Sequence, residues 1–262
     1  MKIAFCFLIY DQINLEELWN IFFKGVDPSR YSVHIHYKTQ KPLKYFEAAK
    51  LPECVETRWG DLSLVRAQNL LLTAALKDPE TTHCILLSNS CIPLKSFEYI
   101  AKALKPRYSY FNVCDPVSCF PRCNNVLFHV EQRFIQKATQ WAILNRKHAT
   151  LLTTDTDYLT WFAACHAPDE HAYITKLFKE RLKDEIMITK NEKLGATTFT
   201  NWADMYDYKY RSAEGLKNYD SISQEELSLL LASPCLFGRK FMREAVRSLI
   251  NPAYLKVLQP AP

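Results

Sequence analysis

The chain opens with Lys2-Ile3-Ala4-Phe5-Cys6-Phe7-Leu8-Ile9-Tyr10, an almost unbroken apolar run that ends at Asp11. An apolar run of this length without polar alternation is typical of a strand buried on both faces of a parallel sheet. It is too short to span a membrane or to act as a signal segment, and no cleavage site follows it. We therefore predict a central parallel strand here.

Strand-like and helix-like segments alternate after this run. The predicted strands are Tyr31–Tyr37, His83–Leu87 and Tyr108–Val113, and the predicted helices are Asn14–Lys24, Ser63–Leu76, Ser96–Leu104, Asn145–Thr153, Asp157–Ala164, His171–Leu182 and Ser223–Ser233. This order predicts an α/β fold whose open, mostly parallel sheet is covered by helices on both faces. No repeat or linker interrupts the chain, so we expect a single domain over residues 1–262.

Composition excludes several classes of protein. Five glycines among 262 residues leave little from which to build a glycine-rich phosphate loop. Neither the Walker pattern nor the dinucleotide-binding glycine pattern occurs. The net charge of +5 is not concentrated in a run of like charges, which argues against a nucleic-acid partner. The nine cysteines form no Cys-x-x-Cys pair, which favours free thiols in a reducing compartment over a disulfide framework. We therefore expect a soluble, cytoplasmic protein.

Ligands of open parallel sheets bind at the carboxyl ends of the strands. The predicted ends are Tyr10–Asp11, Tyr37–Lys38, Ser88–Pro93 and Cys114–Asp115. Polar residues concentrate at these ends, which makes Ser88 and Asp115 candidates for ligand contacts.

The stretch Ala167-Pro168-Asp169-Glu170-His171 places two acids just before a predicted helix. Acids at a helix start commonly cap it and interact with its dipole. The alternative is a division of roles, in which Asp169 caps the helix and Glu170 acts as a general base toward a hydroxyl group.

Two cations, Arg239 and Lys240, follow the apolar run Cys235–Phe237. They are either a solvated strand end or a clamp for a diphosphate, with Arg binding two oxygens and Lys supplying a point charge. Trp141 and Trp202 belong either to the core or to platforms on which a sugar ring stacks.

Seven stretches together resemble the core-2/I-branching glycosyltransferase family, most closely its plant-type branch. They are Lys2–Leu8, Trp59–Val65, Leu86–Leu94, Gln140–Trp141, Asp169–His171, Thr198–Trp202 and Phe237–Phe241, and they span nearly the whole chain. The family includes the β-1,6-N-acetylglucosaminyltransferases and the peptide O-xylosyltransferases.

The resemblance implies a GT-A-like fold and transfer with inversion from a UDP-sugar to a glycan or glycoprotein, without a divalent metal or other cofactor. It implies that Glu170 is the base, that Lys240 binds the diphosphate and that Trp202 lies at the acceptor site. A second diphosphate-binding arginine has no clean match; Arg239 is the first candidate and Arg211 the second.

Further site candidates come from the matched stretches and from the predicted strand ends. Ser88 and Asp61 stand in matched stretches and are assigned to the donor, and Trp141, Asp169 and Asp115 are assigned to substrate binding. Residues 1–123 would form a nucleotide-binding half and residues 124–262 an acceptor-binding and catalytic half. The last matched stretch ends in Gly238-Arg239-Lys240-Phe241, which resembles the xylosyltransferase and plant branches of the family. The resemblance therefore favours UDP-xylose as the donor, with UDP-N-acetylglucosamine next.

Many nucleotide-sugar transferases hold a metal with an Asp-x-Asp motif at a strand end. The expected position here contains Ser88-Asn89-Ser90-Cys91, which has no carboxylate, and Asp155-Thr156-Asp157 precedes a helical stripe, where a capping role is better. We therefore predict no catalytic metal. The alternatives are a non-catalytic glycan- or nucleotide-binding protein on the same fold, and a retaining transferase or hydrolase.

Overall fold

The computed structural model describes residues 1–114, 116–189, 197–200 and 218–259. Within these ranges the strands are β1 Lys2–Ile9, β2 Tyr31–Tyr37, β3 Thr81–Ser88, β4 Ile92–Pro93, β5 Ser109–Cys114, β6 Lys137–Ala138, β7 Ile143–Asn145, β8 Ile186–Thr189, β9 Thr198–Thr200 and β10 Phe237–Arg239. The α-helices are α1 Glu16–Phe23, α2 Ser63–Leu76, α3 Phe97–Ala103, α4 Arg146–Thr154, α5 Tyr158–Trp161, α6 Ala172–Lys179, α7 Gln224–Ala232, α8 Val246–Leu249 and α9 Pro252–Leu258.

A seven-stranded sheet, counted over the described residues, has the order β2-β1-β3-β7-β5-β6, and β8 pairs with β5. Strand β1 is parallel to β2 and β3, and β8 is parallel to β5. Strand β7 is antiparallel to both β3 and β5, so β5 still points in the same direction as β3. The predicted α/β fold with an open, mostly parallel sheet is therefore confirmed.

Helices cover both faces of this sheet because β1 sends alternate side chains in opposite directions. Phe5 and Phe7 pack in one buried cluster with residues of α1 and α3. Ala4 and Cys6 pack in a second cluster with residues of α2, α4 and α6. On the first face the Trp19 ring meets Phe7 edge-on at 4.9 Å between centroids, and its indole N–H donates to the carbonyl of Cys91 at 3.0 Å.

Strand β7 has no counterpart among the predicted strands. It lies between β3 and β5 in the sheet. With three residues, β7 is too short to show a periodic pattern, and its last residue, Asn145, also caps α4 by accepting from the backbone N–H of His148 at 2.8 Å. The predicted halves, 1–123 and 124–262, thus share one sheet.

A small second sheet brings the carboxyl-terminal region to the end of β3. Strand β10 pairs antiparallel with β4 and parallel with β9. The backbone N–H of Phe241 donates to the carbonyl of Ser90 at 2.9 Å. These bonds place Arg239 and Lys240 beside the loop that begins at Ser88.

The described helices are short, and α2, with 14 residues, is the longest of them. None of them combines the length and the apolar character needed to cross a lipid bilayer. Beyond the carboxyl end of α2, the Arg146 guanidinium donates to the carbonyls of Leu76, Asp78 and Thr81 at 3.2, 2.8 and 3.1 Å. The bond to Leu76 gives a partner to a carbonyl that the end of the helix leaves without one, and the other two join Arg146 to the turn after α2 and to the start of β3.

Candidate active site

A cleft of about 490 Å³ opens at the carboxyl ends of the parallel strands. It is lined there by Leu8–Tyr10 at the end of β1, Lys38 after β2, and Ser88 and Asn89 after β3. The cleft therefore lies at the edge where open α/β sheets bind ligands.

Six of the predicted site residues line this cleft: Ser88, Trp141, Asp169, Glu170, Arg239 and Lys240. Asp61 is not among the lining residues. Asp115, Trp202 and Arg211 lie outside the described residues, and their assignments stay predictions.

Glu170 ends a short 3-10 turn, Pro168–Glu170, and its carboxylate is held by two cations. Arg122 donates from Nη1 to Oε2 of Glu170 at 3.2 Å, and the Lys137 ammonium lies 3.8 Å from the same oxygen. The side chain remains 28% exposed, so a ligand in the cleft can reach it. The N-cap of α6, His171, makes no side-chain capping bond, and the Glu170 carboxylate is engaged by cations instead.

Asp169, the neighbouring acid, has a different environment. Its Oδ1 is buried and has no hydrogen-bond partner among the described residues. Burial and, to a lesser extent, the charge of Glu170 raise the pKa of Asp169 to about 7, against the opposing charges of Arg122 and Arg239. The pKa of Asp169 therefore lies near neutral pH, unlike that of a carboxylate that caps a helix at the protein surface.

Replacement of Asp169 by Asn tests this difference. A carboxyl whose pKa is raised on folding binds its proton more tightly in the folded chain, so its contribution to stability falls as the pH rises between the two pKa values. These pKa values are 3.8 for an ordinary aspartate and about 7 for Asp169 in the folded chain. We expect the free energy of unfolding of the wild type to fall relative to that of Asp169→Asn as the pH rises through this interval. Urea denaturation at a series of pH values measures it, and parallel curves would contradict it.

Arg239 and Lys240 supply positive charge to the same cleft. The Arg239 guanidinium carbon lies 4.4 Å from the centre of the Trp141 ring, which is only 5% exposed. The indole therefore supports the cation and offers little surface to a sugar. Burial lowers the pKa of Lys240, and the charge of Arg239 lowers it further. Among the described residues no carboxylate forms an ion pair with Lys240, so this charge is available to an anionic ligand.

The end of strand β3 carries hydroxyl groups where a metal-binding transferase would carry carboxylates. Ser88 Oγ lies 3.0 Å from Ser90 Oγ and 3.2 Å from the Cys91 sulfur. The described residues contain no group of three or more His, Cys, Asp or Glu side chains arranged to hold a metal. Asp155 pairs with Lys176 at 2.5 Å and does not line the cleft.

The loop Trp59–Asp61 packs against the turn that carries the two acids. The Ala167 N–H donates to the Gly60 carbonyl at 2.9 Å. Gly60 has φ +71°, and a Cβ there would meet the His166 ring at 2.8 Å, so glycine is required for this close approach. Asp61 accepts from the N–H of Ser63 at 2.8 Å, which occupies the carboxylate at the start of α2.

Several residues that line or support the site have no distinct sequence signal. Trp59 is 86% exposed at the cleft, although it stands in a stretch that matches the family. Thr139 and Thr200 also line the cleft, and Arg122 reaches Glu170 across 48 positions of the chain. Trp59 and Thr200 stand in matched stretches and could have been noted there, whereas Thr139 and Arg122 could not.

Glu170 and the adjacent cations Arg239 and Lys240 thus line one cleft at the carboxyl ends of the strands of an α/β sheet, an arrangement suited to an enzyme active site. The model of the core-2/I-branching enzyme family matches residues 3–230. The chain therefore belongs to this family of glycosyltransferases, as the sequence resemblance predicts.

Comparisons with individual proteins give more distant similarities. The glycosyltransferase BC10 of Oryza sativa subsp. japonica is 26% identical over 313 residues, covering 95% of this chain and 76% of the relative. An active-site mutant of LgtC gives a TM-score of 0.46 at 9% identity, over 91% of this chain and 86% of that one. The TarS structure from S. aureus gives 0.39 at 13% identity, over 73% of this chain and 35% of that one. At these low TM-scores the assignment rests on the family match.

Proposed function

We propose that the chain is an inverting, metal-independent glycosyltransferase that moves a sugar from a UDP-sugar to a hydroxyl of a glycan or glycoprotein. The product carries a β-linkage. The observation that carries the proposal is that Glu170 and the pair Arg239–Lys240 line one cleft. Xylose is the favoured sugar and N-acetylglucosamine the next, because the sequence around Arg239 and Lys240 resembles the xylosyltransferase and plant branches.

The cations support a nucleotide diphosphate as the leaving group. The cleft volume of about 490 Å³ is in the range that small-molecule ligands occupy. Lys240 forms no ion pair with another of the described residues, and the Arg239 guanidinium packs against the Trp141 ring. An ammonium and a guanidinium held in a half-buried site stabilise the negative charge that develops on a departing diphosphate.

Transfer is then a single displacement in line with the leaving group. Glu170 takes the proton of the acceptor hydroxyl as its oxygen forms a bond to the anomeric carbon. The bond from that carbon to the diphosphate breaks, and the electron pair leaves with UDP toward Lys240 and Arg239. One carboxylate suffices, because a diphosphate leaves without protonation, unlike the alcohol that glycosidases release with a second carboxyl group.

Arg122 and Lys137 orient the base for this step. Both contact Oε2 of Glu170, at 3.2 and 3.8 Å. With Oε2 engaged by these cations, Oε1 is the oxygen that takes the proton of the acceptor hydroxyl. Such positioning matters because proton transfer requires hydrogen-bond distance to the reacting group.

An exposed aromatic at the cleft supports a carbohydrate acceptor. Trp59 leaves 86% of its surface open, and its ring meets His166 edge-on at 5.4 Å. A large apolar ring left in water at a cleft wall suits a ligand with a flat apolar face, as sugars have. Trp202, outside the described residues, remains the acceptor-site residue that the family resemblance implies.

Calorimetry with UDP, paired with an assay of UDP release, tests the proposed function. The donors to compare are UDP-xylose, UDP-N-acetylglucosamine, UDP-glucose and UDP-galactose. We expect UDP to bind and at least one donor to be turned over in the presence of a glycan acceptor. Binding without turnover of any donor would support the non-catalytic alternative, and an α-linked product in anomeric NMR would make the enzyme a retaining transferase.

A further inference from the structure

The cleft contains an unusual concentration of unsatisfied polar atoms. Eight buried side-chain nitrogen or oxygen atoms of the described residues lack a hydrogen-bond partner, and four of these belong to residues that line the cleft. The four are Thr139 Oγ1, Asp169 Oδ1, Thr200 Oγ1 and Arg239 Nε. Most buried polar groups in proteins have hydrogen-bond partners, so four such atoms without partners around one cleft indicate that a ligand supplies the missing hydrogen bonds.

The chemistry of the four atoms selects the kind of ligand. Each threonine hydroxyl can donate or accept, the Asp169 oxygen accepts when ionised, and the Arg239 Nε–H donates. A phosphate offers only acceptors and is repelled by a carboxylate, so this set does not fit a phosphate. Sugar hydroxyl groups both donate and accept, and several of them on one ring can serve a mixed set of this kind.

The position of the four atoms favours the transferred sugar over the acceptor as their ligand. Asp169 is the neighbour of Glu170 in the chain, and Arg239 is the neighbour of Lys240. Thr200 is the register partner of Arg239 where β9 pairs with β10. The set therefore adjoins both the base and the cation assigned to the diphosphate, and all of these residues line one cleft. In an in-line displacement the transferred sugar occupies this place, with the acceptor on one side and the leaving group on the other.

We propose that Thr139, Asp169, Thr200 and Arg239 form a subsite that binds the ring hydroxyls of the transferred sugar and so determines donor specificity. The inference rests on the proposed function. It adds two threonines to the site and gives Arg239 a contact with the sugar besides the diphosphate. The guanidinium has five N–H donors, so a bond from Nε leaves its terminal nitrogens for phosphate oxygens.

A bound water is the competing partner for two of these atoms. A second, small cavity of about 10 Å³ is lined by Thr139, Gln140, Asp169, Glu170 and neighbouring apolar residues. This volume is close to that of one water. A water there would be the partner of Thr139 and Asp169 whether or not the bound nucleotide carries a sugar. In that case the loss of the Thr139 hydroxyl would not weaken a UDP-sugar more than UDP, and the experiment below compares these two affinities.

The experiment measures the affinities of UDP and of UDP-xylose, by calorimetry, for Thr139→Val and Thr200→Val in a Glu170→Gln background that prevents turnover. The same pair of titrations with UDP-N-acetylglucosamine covers the second donor. We expect each valine variant to weaken the UDP-sugar by roughly 3- to 10-fold, the effect of losing one hydrogen bond. The affinity for UDP should change less than twofold, and Thr139→Ser and Thr200→Ser should retain most of the UDP-sugar affinity.

Thr197→Val is the matched control. Thr197 also has a buried, unpartnered Oγ1, but it does not line the cleft, so its replacement should leave both affinities unchanged. The proposal is overturned if the threonine variants weaken the binding of UDP as much as that of the UDP-sugar, or if they weaken neither. If UDP itself does not bind the wild type, the proposed function fails and this inference fails with it.

Discussion

Glu170→Gln is expected to reduce the rate of sugar transfer by roughly 10²- to 10⁴-fold, the usual effect of removing a general base. Glutamine has the same shape as glutamate but cannot take the proton of the attacking hydroxyl. UDP should bind with nearly unchanged affinity, because the cations assigned to the diphosphate belong to a different segment, Arg239–Lys240. The loss should therefore appear in kcat and not in the calorimetric Kd for UDP.

Glu131→Gln is the matched control for this variant. Glu131 is 66% exposed, pairs with Arg133 at 3.0 Å and does not line the cleft. The same chemical change there should leave the turnover rate unaltered. A melting curve for each variant separates catalysis from stability, since Glu170→Gln also removes the charge that faces Arg122 and Lys137. Near-normal turnover by Glu170→Gln would remove this residue from the role of base.

Lys240→Met is expected to reduce turnover by roughly 10²- to 10³-fold, the effect of removing one group that stabilises developing negative charge. Methionine keeps most of the aliphatic stem but not the ammonium. Because burial and Arg239 lower the pKa of Lys240, the wild type should also lose activity at high pH before an ordinary lysine would lose its charge. The alkaline limb of the pH–rate profile reports this loss, and Lys240→Met should lack it.

Lys38→Met provides the comparison for Lys240→Met. Lys38 lines the same cleft but is exposed at its rim, where its ammonium lies 5.6 Å from the centre of the Tyr10 ring. Charges at such positions are screened by solvent, so we expect a small effect on turnover. Equal losses in the two variants would mean that the general positive field of the cleft, and not a specific contact with Lys240, supports the reaction.

Long segments with a clear period could be predicted closely from the sequence. Strand Tyr31–Tyr37 and helix Ser63–Leu76 have their predicted bounds, because their patterns extend over several residues. Strand β7 was missed, since Ile143–Asn145 is three residues long and is followed directly by a helix. Its place between β3 and β5 is decided by long-range pairing, which local patterns do not record.

The candidate site divides in the same way. Glu170 and Lys240 could be selected because they stand in stretches that match a family and because charged residues beside apolar runs are conspicuous. Thr139 and Thr200 are ordinary threonines in the sequence, and only the fold shows that their hydroxyls are buried in the cleft without partners. Arg122 likewise becomes relevant only through its contact with Glu170.

The central claim is that protein cations, and not a bound metal ion, neutralise the diphosphate while Glu170 activates the acceptor. The rate of UDP release by the wild-type enzyme, measured with its best donor in the presence and absence of EDTA, tests this claim most directly. We predict the same rate in both conditions. A rate that disappears in EDTA and returns on addition of Mn²⁺ would contradict it.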